Sequence, residues 1–319
     1  VVRRTGAALA TFLVAAPISR ADGQGLPPYQ SLNPVITSRS GLYFQPYIDA
    51  GAGWQLRLQL DYGSSVEYVN RPTARFVLDG EHLRLDAIVV RNLGSAFFGA
   101  EAALRGAYDG FLDGFLDWYH DLTGFRVSAR AERPRNAFDY FLELPDGRAL
   151  RRQPSSGFLG DARIFVGHRH TRHWQTTLAA TLPTSTGPTG YGRGTVSASA
   201  ITTVRSSLGE RLRFEGSFGL GVTPRHGELE DLQRTFFQSA SGGVRFRFWG
   251  RQAAFLNLFY QSASYRGSSL RALDQRELTL DYGFLLKARK GPEWFLGMTE
   301  DLEPKGPAID LAFRIGARW

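Results

Sequence analysis

The chain of 319 residues contains no cysteine. That excludes disulfides, thiolate metal sites, a cysteine nucleophile and a cysteine-linked lipid anchor, without naming a compartment. It also lacks any apolar run of eighteen residues, and mean hydropathy is −0.23, which excludes bilayer-crossing helices. A transmembrane barrel is untouched by that exclusion, because lipid-facing and lumen-facing residues alternate and cancel in any hydropathy window. The formal net charge is +8, yet no massed basic run carries it. Arginines fall singly along alternating segments, which argues against a nucleic-acid partner.

What is present is glycine (36 residues), aromatic side chains (13%) and alternation. The last nine residues are the clearest case. Leu311, Phe313, Ile315, Ala317 and Trp319 alternate with Ala312, Arg314, Gly316 and Arg318. Such a strand has one apolar face and one face able to meet water. It resembles the carboxy-terminal signal of bacterial outer-membrane barrels, which the barrel assembly machinery reads. At the other end, Arg3-Arg4 precedes an apolar core over 6–17, and Ser19-Arg20-Ala21 is a small-x-small cleavage site. Residues 1–21 therefore read as a signal peptide.

Residues 22–51 are rich in Pro, Gly, Ser and Asn and lack a sustained period, so they read as an irregular periplasmic or lumen-entering segment. The barrel domain is then 52–319. Alternating segments recur at 54–62, 83–93, 96–107, 159–168, 174–183, 195–205, 212–222, 236–248, 253–264, 277–288, 294–300 and 309–319. The predicted fold is all-β: a transmembrane antiparallel up-and-down barrel of about twelve strands, with one short helix in a long extracellular or lumenal loop. Short turns alternate with longer links at 70–80, 106–158, 184–193, 223–235, 265–276 and 301–308, and the short-turn side is periplasmic. Trp54, Trp174, Trp249, Trp294 and Trp319 fall at strand ends on that side, where interfacial aromatics belong.

Parity places Arg84, Asp86, Glu101, Arg105, Arg163, Arg213, Glu215, Arg245, Arg247, Glu277, Asp281 and Arg314 in the lumen. On the lipid face each would cost roughly 2–4 kcal/mol near the midplane. Mixed signs fit a lattice of cross-strand ion pairs, or a charged constriction that selects solutes.

The long loop, 106–158, carries the one helical pattern, with Phe111, Leu112, Phe115, Trp118, Tyr119 and Leu122 at helical spacing and Gly124 as a stop. Asp109, Asp113, Asp117 and Asp121 recur every fourth residue, which reads as a solvated acidic face or calls for cations nearby, from the lumen, from Arg126, Arg130, Arg133 and Arg135, or from a divalent ion. Residues 137–142 and 148–152 flank a Pro-Asp-Gly turn and predict a hairpin. The expectation is that Asp109, Asp113, Asp117, Trp118, His120 and Asp121, with the hairpin, cap the mouth or enter the lumen as a gate.

Several stretches resemble a bacterial family known as domain of unknown function 3187. They are Asn33-Pro34, Leu78-Asp-Gly-Glu81 leading to Leu83-Arg-Leu85-Asp86, Gly110-Phe-Leu-Asp113, His120-Asp121-Leu122, Arg133-Pro-Arg-Asn136, and Ser155 through Arg163. The resemblance implies an uncharacterised outer-membrane barrel and brings no activity or site residues with it. Where that family's pattern has Pro-Arg-Asn near the mature start, this chain has Pro27-Pro28-Tyr29-Gln30.

Catalytic chemistry finds little support. Outer-membrane phospholipases use a Ser–His pair whose histidine is closely followed by Ser, Asn and Gly, and no histidine here has that neighbourhood. His120 and Asp121 point about 100° apart on a helix and cannot pair simply. The acidic repeat lacks calcium-loop spacing. His168, His170 and His173, interleaved with Arg169 and Arg172, read as a basic turn rather than a metal site. The glycine-rich run 187–194 lacks a strand–turn–helix context and reads as a flexible extracellular loop.

The expectation is a narrow or gated passive channel or uptake protein for a small solute in the outer membrane of a Gram-negative bacterium. Two alternatives stand beside it: a non-conducting structural or surface-interaction barrel, and a lipid-modifying enzyme. The expected partners are outer-membrane lipids, lipopolysaccharide and the assembly machinery that reads the strand ending at Trp319. No cofactor or metal is expected.

Overall fold

The computed structural model describes residues 25–50, 53–124, 128–303, 306, 307 and 309–319; the predicted signal peptide at 1–21 lies outside these. An irregular segment holding helix α1 (Pro34–Thr37) comes first. Strands β1 (Gly53–Arg71), β2 (Ala74–Leu93) and β3 (Ala96–Tyr108) follow. The long loop contains α2 (Asp113–Thr123), α3 (Ser128–Ala131), β4 (Asp139–Glu143), β5 (Ala149–Arg152) and β6 (Ser155–Leu159). Then come β7 (Arg163–Thr171), β8 (Trp174–Thr181), β9 (Ser197–Leu208), β10 (Leu212–Val222), β11 (Phe236–Trp249) and β12 (Gln252–Gln261). Helix α4 (Arg271–Asp274) precedes β13 (Glu277–Lys287), β14 (Glu293–Asp301) and β15 (Leu311–Arg318).

Twelve of these strands form one antiparallel ring, β1-β2-β3-β7 through β15. It closes where β15 returns to β1, with Arg57 opposite Arg318 and Ser64 opposite Leu311. Closure leaves no unpaired strand edge in the hydrocarbon, the condition for a sheet to cross a bilayer. Among the described residues no helix is long and apolar enough to cross.

The side-chain distribution is inside out relative to a water-soluble protein. Leu85, Ile164, Leu178, Leu220 and Phe284 stand outward at 42–55% exposure. Gln59, Asp61, Arg84, Gln175, Thr203, Asn257 and Asp281 point inward and are buried. Period-two alternation produces this directly, since neighbours along a strand face opposite sides of the sheet. In lipid the outward leucines are solvated; in water each would forgo roughly 1.5–3 kcal/mol of burial.

The structure revises two expectations and decides a third. The link expected at 70–80 is instead a tight turn at Pro72-Thr73, because β1 and β2 run on as paired strands of 19 and 20 residues. About 9–11 residues span the bilayer. Above Tyr62 the outward face no longer meets lipid, so alternation ceases to report the strand while its hydrogen bonds continue. The predicted hairpin exists as β4 and β5, and it extends the sheet by pairing with Arg75–Asp79 of β2. There Phe76, Leu78, Leu142 and Leu273 pack into an apolar cluster above the membrane.

The second revision concerns α2, which neither caps the mouth nor enters the lumen. Leu112 and Leu116 pack on Leu311, with Tyr62, Met298 and Phe313 beside them. Tyr62, Met298 and Phe313 share parity with the outward-facing Leu60, Leu296 and Ile315, so the helix lies on the outer wall. Phe111, just before the helix, and its Phe115, Trp118 and Leu122 stay exposed. Gly124 ends it with φ 77°, a left-handed backbone that glycine adopts without steric cost.

What fills the barrel is the segment expected to be periplasmic or lumen-entering, which takes the second of those places. Residues 25–48 are buried, apart from half-buried Leu32, and form a looped plug in which Tyr29 and Phe44 pair backbone to backbone. With that plug in place the lumen has no room for α2. Glycines of the wall make space for it: a Cβ on Gly243 would lie 2.6 Å from Leu26 Cδ1.

Candidate functional site

The lumenal charges do two jobs: they pair with one another, and they hold the plug. Asp61, on the inner face of β1, accepts from Arg84 at 2.5 Å and from Arg314 at 3.0 Å. Arg84 also meets Asp86 (2.9 Å), and Arg314 meets Asp281 (2.5 Å). The same two guanidiniums donate to plug carbonyls, Arg84 to Ser31 and Arg314 to Pro28. Arg163 pairs with Glu101 at 3.0 Å, donates to Gln30 at 2.9 Å and sits over the Tyr43 ring. Glu215 accepts from the Tyr47 amide, and the Tyr29 hydroxyl donates to Glu277. The remaining expected lumen charges are Arg105 and Arg213, both half-buried, Arg245, which is buried, and Arg247, which pairs with Glu210 at the periplasmic rim.

Sequence reading passed over three groups in this lattice. Asp61 and Glu293 both lie on the alternating inner face, and the same parity that found Arg84 would have found them; Glu293 pairs with Arg318. Arg169 donates to the carbonyls of Ile48 and Asp49 where the plug joins the wall. Its location in a histidine-rich turn disguised it.

On the extracellular side the plug apex forms the floor of a cavity of about 310 Å³. The exposed residues Thr189, Gly194, His226 and Glu228 are at its rim. Arg39, 2% exposed, lines it from the plug and donates through Nη2 to the carbonyls of Pro224 (3.0 Å) and Thr223 (3.4 Å). Burial lowers its pKa, with only Tyr265 acting the other way. Arg193 pairs with Asp161 at 3.3 Å and reaches the Ser40 carbonyl at 2.6 Å. Burial pushes its pKa down to about 9 despite Asp161. Arg152 pairs with Glu228 at 2.6 Å. The run 187–194 is pinned rather than free: Asp161 accepts from the amides of Ser185 and Arg193, and Tyr191 packs on Phe158.

The outer wall holds a different polar group, beneath α2. His120 pairs with Asp310 at 3.2 Å, so its acidic partner lies near β15 and not at Asp121, which is exposed. Arg130 bridges Asp310 (2.7 Å), Asp113 (2.6 Å) and the Ser64 hydroxyl (3.0 Å). Burial pushes the Asp310 pKa up, but His120 and Arg130 outweigh it and hold the carboxyl below its ordinary value. Ser64 is 1% exposed and its hydroxyl is held by Arg130, so no acyl group reaches it. The grouping ties the helix to the wall. Asp117 pairs with Arg135, Arg133 with Asp79 and Asp139, Asp109 is exposed, and Arg126 lies outside the described residues.

The strand-end tryptophans lie where expected along the chain. Trp174, Trp249 and Trp294 are exposed, Trp54 and Trp319 half-exposed, and Trp294 meets Trp319 edge to face at 6.5 Å. His170 stacks on Trp174. Among the described residues no three His, Asp or Glu side chains are grouped to hold a metal.

A family model described as "Protein of unknown function (DUF3187)" matches residues 7–319. No curated protein matches the sequence. Among solved structures, an outer membrane channel (COG4313) from Pseudomonas putida F1 superimposes with a TM-score of 0.54 at 10% identity, covering 85% of this chain and 96% of that one. The NanC porin gives 0.44 at 9% identity, covering 83% and 98%. The Pseudomonas putida toluene transporter TodX gives 0.36 at 12% identity, covering 84% and 89%. The first of these carries the fold, that of outer-membrane barrels.

Proposed function

The chain belongs to the DUF3187 family, and from its geometry we propose that it is a plugged outer-membrane channel for a small solute. In this reading the extracellular cavity is the entrance and residues 25–48 are the gate. One observation carries it: the floor of the cavity is the plug itself, at Ser38 and Arg39. A solute entering from outside therefore rests on the element that must move for it to pass. The plug is joined to the wall by hydrogen bonds, ion–dipole contacts and apolar packing, and no strand pairing of the ring runs through it. It is a separable element of a closed ring.

The outward apolar belt then faces outer-membrane lipid and lipopolysaccharide, and β15 is the strand that the assembly machinery reads. Neither a cofactor nor a catalytic step enters this reading.

Planar-bilayer recording tests it. The full chain should give brief, rare openings, and deletion of residues 25–48 should give steady current. Bridging S40C and Q261C, at positions whose native side chains meet at 3.0 Å, with a short reducible bis-thiosulfonate linker should silence the full chain until reduction. The chain's lack of cysteine makes that pair selective. A second reading, a permanently filled structural barrel, is favoured by the number of plug contacts. It requires that the plug-less chain either fail to fold or carry no current.

A further inference from the structure

The charges that line the extracellular cavity do not balance. Three arginines line it, Arg39, Arg152 and Arg193, against two carboxylates, Asp161 and Glu228. Arg152 is matched to Glu228 and Arg193 to Asp161. Arg39 has no carboxylate among the described residues. Among the described residues its Nη2 reaches only backbone carbonyls, and its Nε and Nη1 meet no hydrogen-bond partner. A guanidinium buried to 2% exposure with two of its three nitrogens unpartnered is a charge awaiting an anion.

The rest of the lining is of another kind. Phe76, Leu142, Leu150, Tyr265 and Leu273 line the cavity and belong to the apolar cluster above the membrane. A cavity of about 310 Å³ lies at the lower end of small-molecule sites, and an apolar lining with a few fixed polar groups is their usual composition. A bare inorganic anion would leave this apolar wall unused, and a neutral hydrocarbon would leave Arg39 unmatched.

We propose that the extracellular cavity binds a small organic monocarboxylate with an apolar, ring-sized body, its carboxylate on Arg39 and its body against the Phe76–Leu142–Tyr265 wall. This rests on reading the cavity as the solute entrance and names the class of solute. Because Arg39 belongs to the plug, the bound carboxylate contacts the gate directly. It competes with the Pro224 and Thr223 carbonyls that hold the plug apex to the loop after β10.

Calorimetric titration of the full chain in detergent micelles tests the assignment, with benzoate as probe, benzamide as its neutral counterpart and inorganic phosphate as the bare anion. Benzoate should bind once per barrel, at least about tenfold tighter than either of the others. R39Q should weaken benzoate by about tenfold or more and bring it level with benzamide, while R39K retains part of the preference. Equal binding of benzoate and benzamide to the unaltered chain overturns the proposal, as does benzoate affinity that R39Q leaves unchanged. Should R39Q not fold, as judged by heat-modifiable gel migration, the benzoate–benzamide comparison on the unaltered chain decides. A barrel that conducts without its plug but ignores benzoate sinks the ligand assignment alone. One that binds benzoate but never conducts sinks the channel reading alone.

Discussion

At the scale of single residues, the lumen is organised by guanidiniums that each serve two partners. Asp61 is the clearest hinge of this arrangement, since Arg84 and Arg314 both converge on it while also gripping the plug at Ser31 and Pro28. Removing one member of a buried ionic group is more damaging than never having built it, because the remaining charges keep their desolvation penalty. Asp61→Ala should therefore destabilise the barrel by about 3–5 kcal/mol, read from denaturant titrations of the protein in vesicles. Asp61→Asn should lose less, since its carbonyl still accepts a hydrogen bond. A loss below about 1 kcal/mol for the alanine variant would mean that Asp86 and Asp281 suffice. Parity made most of these charges legible in the sequence. Their division of labour was not, because a partner such as the Ser31 carbonyl has no side-chain signature.

At the scale of elements, α2 shows how a correctly located helix can be assigned to the wrong face of the molecule. Its place in the chain and its stop at Gly124 were written in the local pattern, but its buried face was not: Leu116, absent from the expected apolar set, is buried, while Phe111, Trp118 and Leu122 of that set stay exposed. Whether an apolar face seeks the mouth of a barrel or its lipid-facing wall depends on which surface is vacant, and residues 25–48 already occupy the lumen. Leu116, fully buried against the wall, is the test. Leu116→Glu should abolish protection of residues 113–123 in hydrogen exchange while the ring strands keep theirs. Acid should do the same by another route. Asp310 has its pKa held below the ordinary 3.8, so its contribution to docking is complete at neutral pH. That contribution is lost as the pH falls below the ordinary value and through the depressed one, so the helix should release in acid with the ring intact. An acid release that Asp310→Asn leaves unchanged would show that this carboxylate does not hold α2.

At the scale of the whole molecule, the governing fact is the reversal of inside and outside. Leu258, outward on β12 and 42% exposed, has lipid as its solvent, whereas its neighbour Asn257 is fully buried in the lumen. Leu258→Arg should cost about 2–4 kcal/mol in folding into vesicles if it lies near the midplane. A negligible effect there would contradict the membrane orientation derived from parity. That reversal, the strand count and the closed ring are what the sequence by itself determined. All follow from a period of two, and a period is a local property that survives without knowledge of neighbours. Only the tertiary structure decided that residues 25–48 fill the lumen, that α2 lies outside, and that Arg39 is left over at the floor of the extracellular cavity. Those outcomes depend on competition for one enclosed volume and on the pairing of charges far apart in the chain, such as Arg314 with Asp61 across 253 positions. No local pattern encodes which groups reach such a volume first or which charge remains when the others have paired.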